Sequence, residues 1–217
     1  FAEQLGLAPF EGHLRGRGKL EEMMEWCQEL GIRVLTVYAF STENLDRPKE
    51  ELETLMDIFA DAFRQVGDDP RIHGSRVRVC AIGHRELLPE RVREAIAYAE
   101  EKTAHYDDYR YNIAVAYGGR QEIIQAIRQL AHKVQVGELE PDEIDTKMVS
   151  KHLYTGDLPD PDLILRTSGE ERVSNFLLWQ LAYSEFYFAD VYWPALRKVD
   201  FLRAIRAYQQ RRRRRGL

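Results

Sequence analysis

Leu163-Ile164-Leu165-Arg166-Thr167-Ser168-Gly169-Glu170-Glu171-Arg172-Val173-Ser174-Asn175-Phe176 is an apolar run that turns abruptly polar. Leu163 to Leu165 has the composition of a buried strand. Apolar residues resume at Phe176 with helical spacing, so a helix is expected from Ser174 to Tyr183. Two arginines, a glycine and a hydroxyl then fall where a strand ends and a helix begins. Chains build anion sites at such junctions, because unpaired backbone N–H groups and the helix dipole face the ligand. Arginine adds a planar fork of donors suited to phosphate. The competing reading is local, with Glu170 and Glu171 neutralising the arginines.

Outward from this stretch, helical and strand patterns alternate. Leu20, Met23, Met24, Cys27 and Leu30 share one helical face, and Gly31 is placed to end that helix. Residues 32–40 are rich in β-branched and aromatic types and read as a strand. Pro48 opens a helix on which Leu52, Leu55, Met56, Phe59, Ala60 and Phe63 form a long apolar stripe. Further strands are expected over 77–82, 111–117, 163–166 and 185–191, and helices over 87–106, 120–136 and 145–152. The last helix begins at Asp200 and runs into five consecutive arginines, Arg211 to Arg215. The alternation predicts an α/β fold with a largely parallel central sheet flanked by helices, in a single domain over 1–217. Ligands of such sheets collect at the carboxyl ends of the strands. Three of those ends are polar here: Phe40-Ser41-Thr42-Glu43-Asn44, Tyr117-Gly118-Gly119-Arg120, and Arg166-Thr167-Ser168-Gly169-Glu170.

Composition narrows the function classes. The net charge of −5 argues against a nucleic-acid partner. No apolar run approaches the roughly 18–20 residues of a membrane span. The two cysteines, Cys27 and Cys80, lack metal-ligand spacing and read as buried free thiols of a cytoplasmic protein. The arginine run is either a solvated helix end or a patch drawn to anionic lipid, which would hold the protein at the membrane surface.

Each candidate site residue has two readings. Ser41, Thr42, Glu43, Asn44 and Arg47 form either a capped turn or a loop that binds phosphate and handles protons. Gly12-His13, with Arg15 and Arg17, is placed just before the first helix, as a surface cap or an anion site. Arg166, Arg172 and Ser174 suit a diphosphate clamp, since each charge-assisted hydrogen bond is worth roughly 1.5–3 kcal/mol. Glu185 is either a paired core residue or a magnesium ligand sharing the ion with substrate phosphates. Trp179, Tyr183, Phe186, Tyr187, Phe188, Tyr192 and Trp193 are core or subunit interface. The stripe from Leu52 to Phe63 is core, or the wall of a cleft for a hydrocarbon.

In this order, the pieces resemble the cis-prenyltransferases, the undecaprenyl diphosphate synthase family. The likeness rests on Gly12-His13, on Tyr38-Ala39-Phe40-Ser41-Thr42-Glu43-Asn44 with Arg47-Pro48, on Tyr117-Gly118-Gly119-Arg120, on Arg166 to Phe176, and on Leu177-Leu178-Trp179-Gln180-Leu181-Ala182-Tyr183-Ser184-Glu185-Phe186-Tyr187-Phe188. It spans essentially the whole chain. The paired aspartates of trans-type prenyltransferases are lacking, because Asp68-Asp69 and Asp107-Asp108 have no third aspartate at the required spacing. The resemblance implies a magnesium-dependent transferase that joins isopentenyl diphosphate to an allylic prenyl diphosphate and makes a cis double bond, supplying a glycosyl carrier lipid. It implies a fold with a hydrophobic tunnel, lined by the helix from Leu52 to Phe63. Phe1, His13, Ser41, Thr42, Glu43, Leu45 and Arg47 would bind the allylic substrate, and Asn44 would be catalytic, assisting proton removal. Arg166, Arg172, Val173 and Ser174 would bind isopentenyl diphosphate, and Glu185 would hold Mg2+. The aromatic segment would form a homodimer interface, and Arg214-Arg215-Gly216 matches the family's C-terminal RxG element. Tyr109 is a candidate bulky stop for the growing chain.

The chain departs from the family pattern at several points. It begins at Phe1, and by register the aspartate of the family's Asp-Gly-Asn-x-Arg loop falls upstream of it, so an N-terminal strand and catalytic loop are expected there. Leu45, Pro9 and Glu171 replace a tryptophan, an arginine and a histidine frequent in bacterial relatives, which looks archaeal. Two other functions stay open: a non-catalytic subunit of a heteromeric cis-prenyltransferase, and a basic-tailed binding module. Retention of Asn44, Arg166, Arg172, Ser174 and Glu185 weighs against the first, and the acidic balance against the second.

Overall fold

Seven consecutive buried residues, Tyr111 to Tyr117, make β3 (Tyr109–Tyr117) a strand that needs neighbours on both edges and cover on both faces. In the structure, a computed structural model that describes residues 9–211, it has the neighbours. β1 (Val34–Ser41) and β2 (Val77–Ile82) flank it in the order β1-β3-β2, and both pairings are parallel. The β1 register runs from Val34 opposite Arg110 to Ser41 opposite Tyr117, so the carboxyl ends of β1 and β3 meet at one edge.

The described residues form two compact units. The first comprises 27–159 and 175–179. Besides the three strands it holds α2 (Lys49–Asp68), α3 (Pro70–Gly74), α4 (Glu90–Thr103), α5 (Gly119–Gln135) and α6 (Thr146–Lys151). The stripe on α2 buries Leu55, Met56, Ala60 and Phe63, and α4 buries Val92, Ala95, Ile96 and Ala99. Gly67 lets the two helices close, since a Cβ there would lie 3.1 Å from the Tyr98 ring and 3.2 Å from the Ala99 Cα. Across the solvent side, Arg91 of α4 bonds Glu53 at 2.6 Å and Asp57 at 2.8 Å on α2. That exposed clasp contributes about 0–1 kcal/mol, so apolar burial carries the packing.

The second unit comprises, among the described residues, 9–26, 160–174 and 180–211. It holds most of α1 (Pro9–Glu29), then β4 (Leu163–Arg166), β5 (Glu185–Phe188) and α7 (Lys198–Gln210). β4 and β5 pair in parallel, with Leu163 opposite Glu185 and Arg166 opposite Phe188. Trp26 stacks on Phe201 with ring centroids 6.1 Å apart, and the Trp193 indole donates to the Gly16 carbonyl at 2.9 Å.

The α/β class with parallel sheets matches the sequence reading, and most elements stand within a few residues of their expected limits. Gly31, at φ 68°, ends α1 as expected, with Ile32 N–H bonded to the Cys27 carbonyl at 2.8 Å. Asp145 caps α6 through the Met148 N–H at 2.7 Å. Burial pushes the Cys27 thiol up to about 12 and raises that of half-buried Cys80, so both are poor nucleophiles.

Four expectations need correction. α1 starts at Pro9, so Gly12-His13 lies inside its first turns and not ahead of it. α3 went unread, although Asp69 caps it through the Arg71 N–H at 2.8 Å and Pro70 stands at its first position. β5 stops at Phe188 and not Val191, because the Ala189 and Val191 carbonyls instead accept from Gly169 and Ser168 at 3.1 and 2.8 Å. No α-helix spans Ser174 to Tyr183: Ser174, Asn175 and Leu177 take φ of 49°, 63° and 43°, and one 3₁₀ turn follows at Gln180–Tyr183.

Ile96 is fully buried on α4. Ile96→Ala should therefore cost about 2–5 kcal/mol in urea unfolding, with an unchanged m-value.

Candidate active site

Where β1 ends, the chain turns once through a 3₁₀ segment, Thr42–Asp46, before α2. The Asn44 Oδ1 accepts the Ser41 N–H at 3.0 Å and closes this turn, which leaves its amide nitrogen unengaged among the described residues. The Thr42 hydroxyl donates to Glu43 Oε2 at 3.2 Å. Leu45 is half-buried, and Arg47 pairs with Glu51 at 2.6 Å. The expected loop is thus one short polar turn at the carboxyl edge of the sheet.

The neighbouring strand end, Tyr117-Gly118-Gly119, leads straight into α5. Residues 175–178 press against this junction. A Cβ on Gly118 would lie 2.8 Å from both the Asn175 Nδ2 and the Thr42 Oγ1. One on Gly119 would lie 2.8 Å from the Leu178 side chain and 3.0 Å from the Asn175 carbonyl. The glycines therefore make room for a protein segment. That segment also takes the helix's free donors: the Asn175 carbonyl accepts the Gly119 N–H at 2.7 Å and its Oδ1 accepts the Arg120 N–H at 2.9 Å.

Asn175 was not singled out from sequence. Its Nδ2 donates to Glu43 Oε1 at 2.9 Å and to Gln121 Oε1 at 3.0 Å, joining the two strand ends. Burial pushes the Glu43 carboxyl up, but hydrogen bonds from its own backbone, Asn175, Ser41 and Thr42 outweigh that and hold it below the ordinary 4.5. Sequence offered only asparagine's tolerance of left-handed backbone, since the Asn175 partners Arg120 and Glu43 are remote along the chain.

Beneath the edge lies a buried network. Glu122, in the first turn of α5, accepts from the Tyr117 hydroxyl and from the Tyr154 N–H, the latter at 2.8 Å. Burial, then the Glu122 charge, drive the Tyr117 hydroxyl far above its usual range. Tyr38 stacks on Phe176 at 4.7 Å and donates to the Tyr117 carbonyl at 3.1 Å. Phe40 meets Phe59 of α2 edge-to-face at 5.7 Å.

In the second unit, the loop after β4 does not lead into a helix, so the dipole argument for its anion affinity fails. Its geometry comes from left-handed Ser168 and Gly169, at φ 74° and 67°, and from β5-side carbonyls. Exposed Arg172 pairs with Glu170, as the local reading had it, while Arg166, Val173 and Ser174 are half-buried. Glu185 starts β5, level with Leu163 and three residues along the ladder from Arg166. Parallel strands rise about 3.3 Å per residue, so these two stand about 10 Å apart along the strands. Arg211 donates to Glu185 at 2.6 Å and to the Phe186 carbonyl at 2.9 Å. Among the described residues, no three metal-ligating side chains cluster. Phe1 and Arg214-Arg215-Gly216 lie outside the described residues, as does the rest of the arginine run beyond Arg211.

A family model described as putative undecaprenyl diphosphate synthase matches residues 1–216. The chain is similar to proteins called tritrans,polycis-undecaprenyl-diphosphate synthase (geranylgeranyl-diphosphate specific). Identity to that of Methanopyrus kandleri is 59% over 216 residues, covering 100% of this chain and 80% of the relative. Identity to that of Methanocaldococcus jannaschii is 55% over 217 residues, covering 99% and 78%. Among solved structures, the lavandulyl diphosphate synthase of Lavandula x intermedia in complex with dimethylallyl diphosphate superposes with a TM-score of 0.93 at 38% identity, covering 98% of this chain and 91% of that one. A probable undecaprenyl diphosphate synthase from Campylobacter jejuni gives 0.82 at 35%, covering 94% and 92%.

Since Glu43 titrates below its unfolded value, its contribution is complete above pH 4.5 and fades as pH falls through the lowered folded value. Wild-type protein should be more stable than Glu43→Gln above that pH, and the two should converge in acid, as read by urea midpoints across the pH range.

Proposed function

We propose, from the premise that this chain belongs to the undecaprenyl diphosphate synthase family, a specific course for its reaction. The chain is a prenyltransferase that elongates an allylic diphosphate with cis units. Geranylgeranyl diphosphate is the proposed primer, isopentenyl diphosphate the extending unit, and an undecaprenyl-length diphosphate the product, as in the names of the archaeal relatives. The observation that carries this reading is the polar edge at the carboxyl ends of β1 and β3, where hydroxyls, an amide and a carboxylate share one turn.

On this reading Ser41, Thr42, Glu43, Leu45 and Arg47, with His13 and Phe1, take the allylic diphosphate. Arg166, Arg172, Val173 and Ser174 take the diphosphate of the extending unit. The pairs that hold Arg47 and Arg172 do not oppose this. Ion pairs that reach solvent, as both of these do, are worth about 0–1 kcal/mol, whereas charge-assisted bonds to an anion are worth roughly 1.5–3 kcal/mol each, so a pyrophosphate displaces the carboxylates. Ionisation of the allylic diphosphate breaks its C–O bond, releasing pyrophosphate and leaving a carbocation, which the double bond of the extending unit attacks to form the new C–C bond. The resulting cation loses a proton to a diphosphate oxygen, and Asn44, whose amide nitrogen is unengaged among the described residues, assists by donating to and orienting that acceptor. Apolar α2 side chains that are only half-buried, Leu52 and Phe59, start a dry wall for the tail and keep water from the cation.

Glu185 supplies a single carboxylate, which fits the smallest magnesium site, one completed by substrate phosphates. Bound there, magnesium would offset the charge of the diphosphate. A homodimer through the second unit's aromatic residues is proposed as well, since Tyr183 is 88% exposed and Phe188 and Tyr192 are also uncovered. No helix among the described residues is long and apolar enough to cross a membrane.

Incubating the protein with magnesium, radiolabelled isopentenyl diphosphate and geranylgeranyl diphosphate should give a butanol-extractable polyprenyl product. No lengthened product with any allylic primer would overturn the reading. Arg166→Ala should raise KM for isopentenyl diphosphate by about tenfold or more, the loss of one charge-assisted bond, and leave that for the primer nearly unchanged. Equal effects on both would contradict the assignment.

A further inference from the structure

We infer that Asn175 is a positioning residue that latches the Ser41–Arg47 turn to the entrance of α5, and that its amide is required because the latch needs an acceptor and a donor at once. Three observations lead there. The Asn175 side chain uses both ends: Oδ1 accepts the Arg120 N–H at 2.9 Å, while Nδ2 donates to Glu43 at 2.9 Å and Gln121 at 3.0 Å. Its backbone is left-handed, at φ 63°, which asparagine tolerates better than other side chains do. Gly118 and Gly119 leave the space it fills.

Backbone pairing ties Ser41 to Tyr117, and the other side-chain bonds of the turn are internal to it or reach only the next helix. Asn44 closes on Ser41, Thr42 bonds Glu43, and Arg47 bonds Glu51. Beyond Ser41, the Asn175–Glu43 bond is therefore the side-chain tie that orients the turn against the second strand end, among the described residues. Glu43 stands between Thr42 and Asn44, so its anchoring sets the direction of both neighbours. Aspartate has no donor at this position, and leucine or alanine neither donor nor acceptor.

Asn175→Asp separates this latch from ordinary helix capping. It keeps the acceptor for the Arg120 N–H, and a negative charge at a helix N-terminus is favourable. It removes the donor and sets a second carboxylate against Glu43. Adding Glu43→Gln returns a donor from the other side and relieves the repulsion, whereas Glu43→Gln alone keeps an acceptor for Asn175. The inference concerns geometry first, and rests on the proposed substrate roles only for its kinetic consequence.

Amide hydrogen exchange and steady-state kinetics on the full chain test it together. Asn175→Asp should speed exchange over residues 42–46 by about tenfold, the loss of one bond to a charged group, with the α5 amides unchanged. It should raise KM for the allylic diphosphate by a similar factor and leave that for isopentenyl diphosphate within about twofold. The Glu43→Gln/Asn175→Asp pair should recover the slow exchange. Wild-type exchange in Asn175→Asp, or no recovery in the pair, overturns the latch. If the chain transfers no prenyl group, the exchange measurement still decides the latch, and only the substrate reading falls. A KM effect shared equally by both substrates, with the exchange result as expected, removes the kinetic consequence and keeps the geometry.

Discussion

The close seating of residues 175–178 on the Gly118-Gly119 junction is the constraint on which the first unit's polar edge depends. Any side chain at either glycine would strike Asn175 or Leu178. With those side chains missing, the Asn175 backbone and amide reach the first N–H groups of α5, and the same amide reaches Glu43. A helix start that would otherwise face a ligand directly is instead satisfied by protein. The groups left to meet an anion are therefore side chains on the adjoining turn, not the α5 dipole alone.

Below the edge, satisfaction of buried polar groups gives the same junction its stiffness. Glu122 is almost fully buried, yet it accepts from Tyr117 and from the Tyr154 backbone. An unpaired buried carboxylate would be costly, so Tyr117, Tyr154 and α5 are held in one arrangement. Burial first, and the Glu86 and Glu122 charges next, push the Tyr154 hydroxyl up to about 12, so it remains a neutral donor. The residues proposed to meet substrate behave differently. Arg47 sits in a half-buried but solvent-reaching pair with Glu51, and Arg172, in the second unit, in an exposed pair with Glu170; both cost little to separate. Within the first unit, a satisfied floor beneath the weakly paired Arg47 turn suits binding and release of a charged substrate.

Legibility from sequence followed how local each feature was. Val77 to Ile82 and Leu163 to Arg166 are strands with the expected limits, because composition and flanking polar residues define them locally. Asp145 and Gly31 act as caps for equally local reasons. The misreading at Ser174 to Tyr183 has a specific cause. Phe176, Leu177, Trp179 and Gln180 are spaced like one face of a helix, but each apolar group finds a separate partner. Phe176 stacks on Tyr38, Leu177 joins the core with Ile82, Ala114 and Tyr117, and the Trp179 indole donates to Ser150 at 2.9 Å. Those distant partners outweigh the helical preference and drive three side-chain-bearing residues into left-handed backbone.

Residue order alone determined the alternation of strands and helices, the parallel α/β class, the polar character of the strand ends and the family to which the chain belongs, since each depends on short-range pattern. Tertiary structure alone decided what the two glycines serve, that Asn175 joins Glu43 to α5, and that Glu185 stands at the far end of its ladder from Arg166. Those facts depend on which distant atoms arrive within hydrogen-bonding or van der Waals reach. Periodicity along a chain states which face is apolar; it carries no information on which remote segment will cover it.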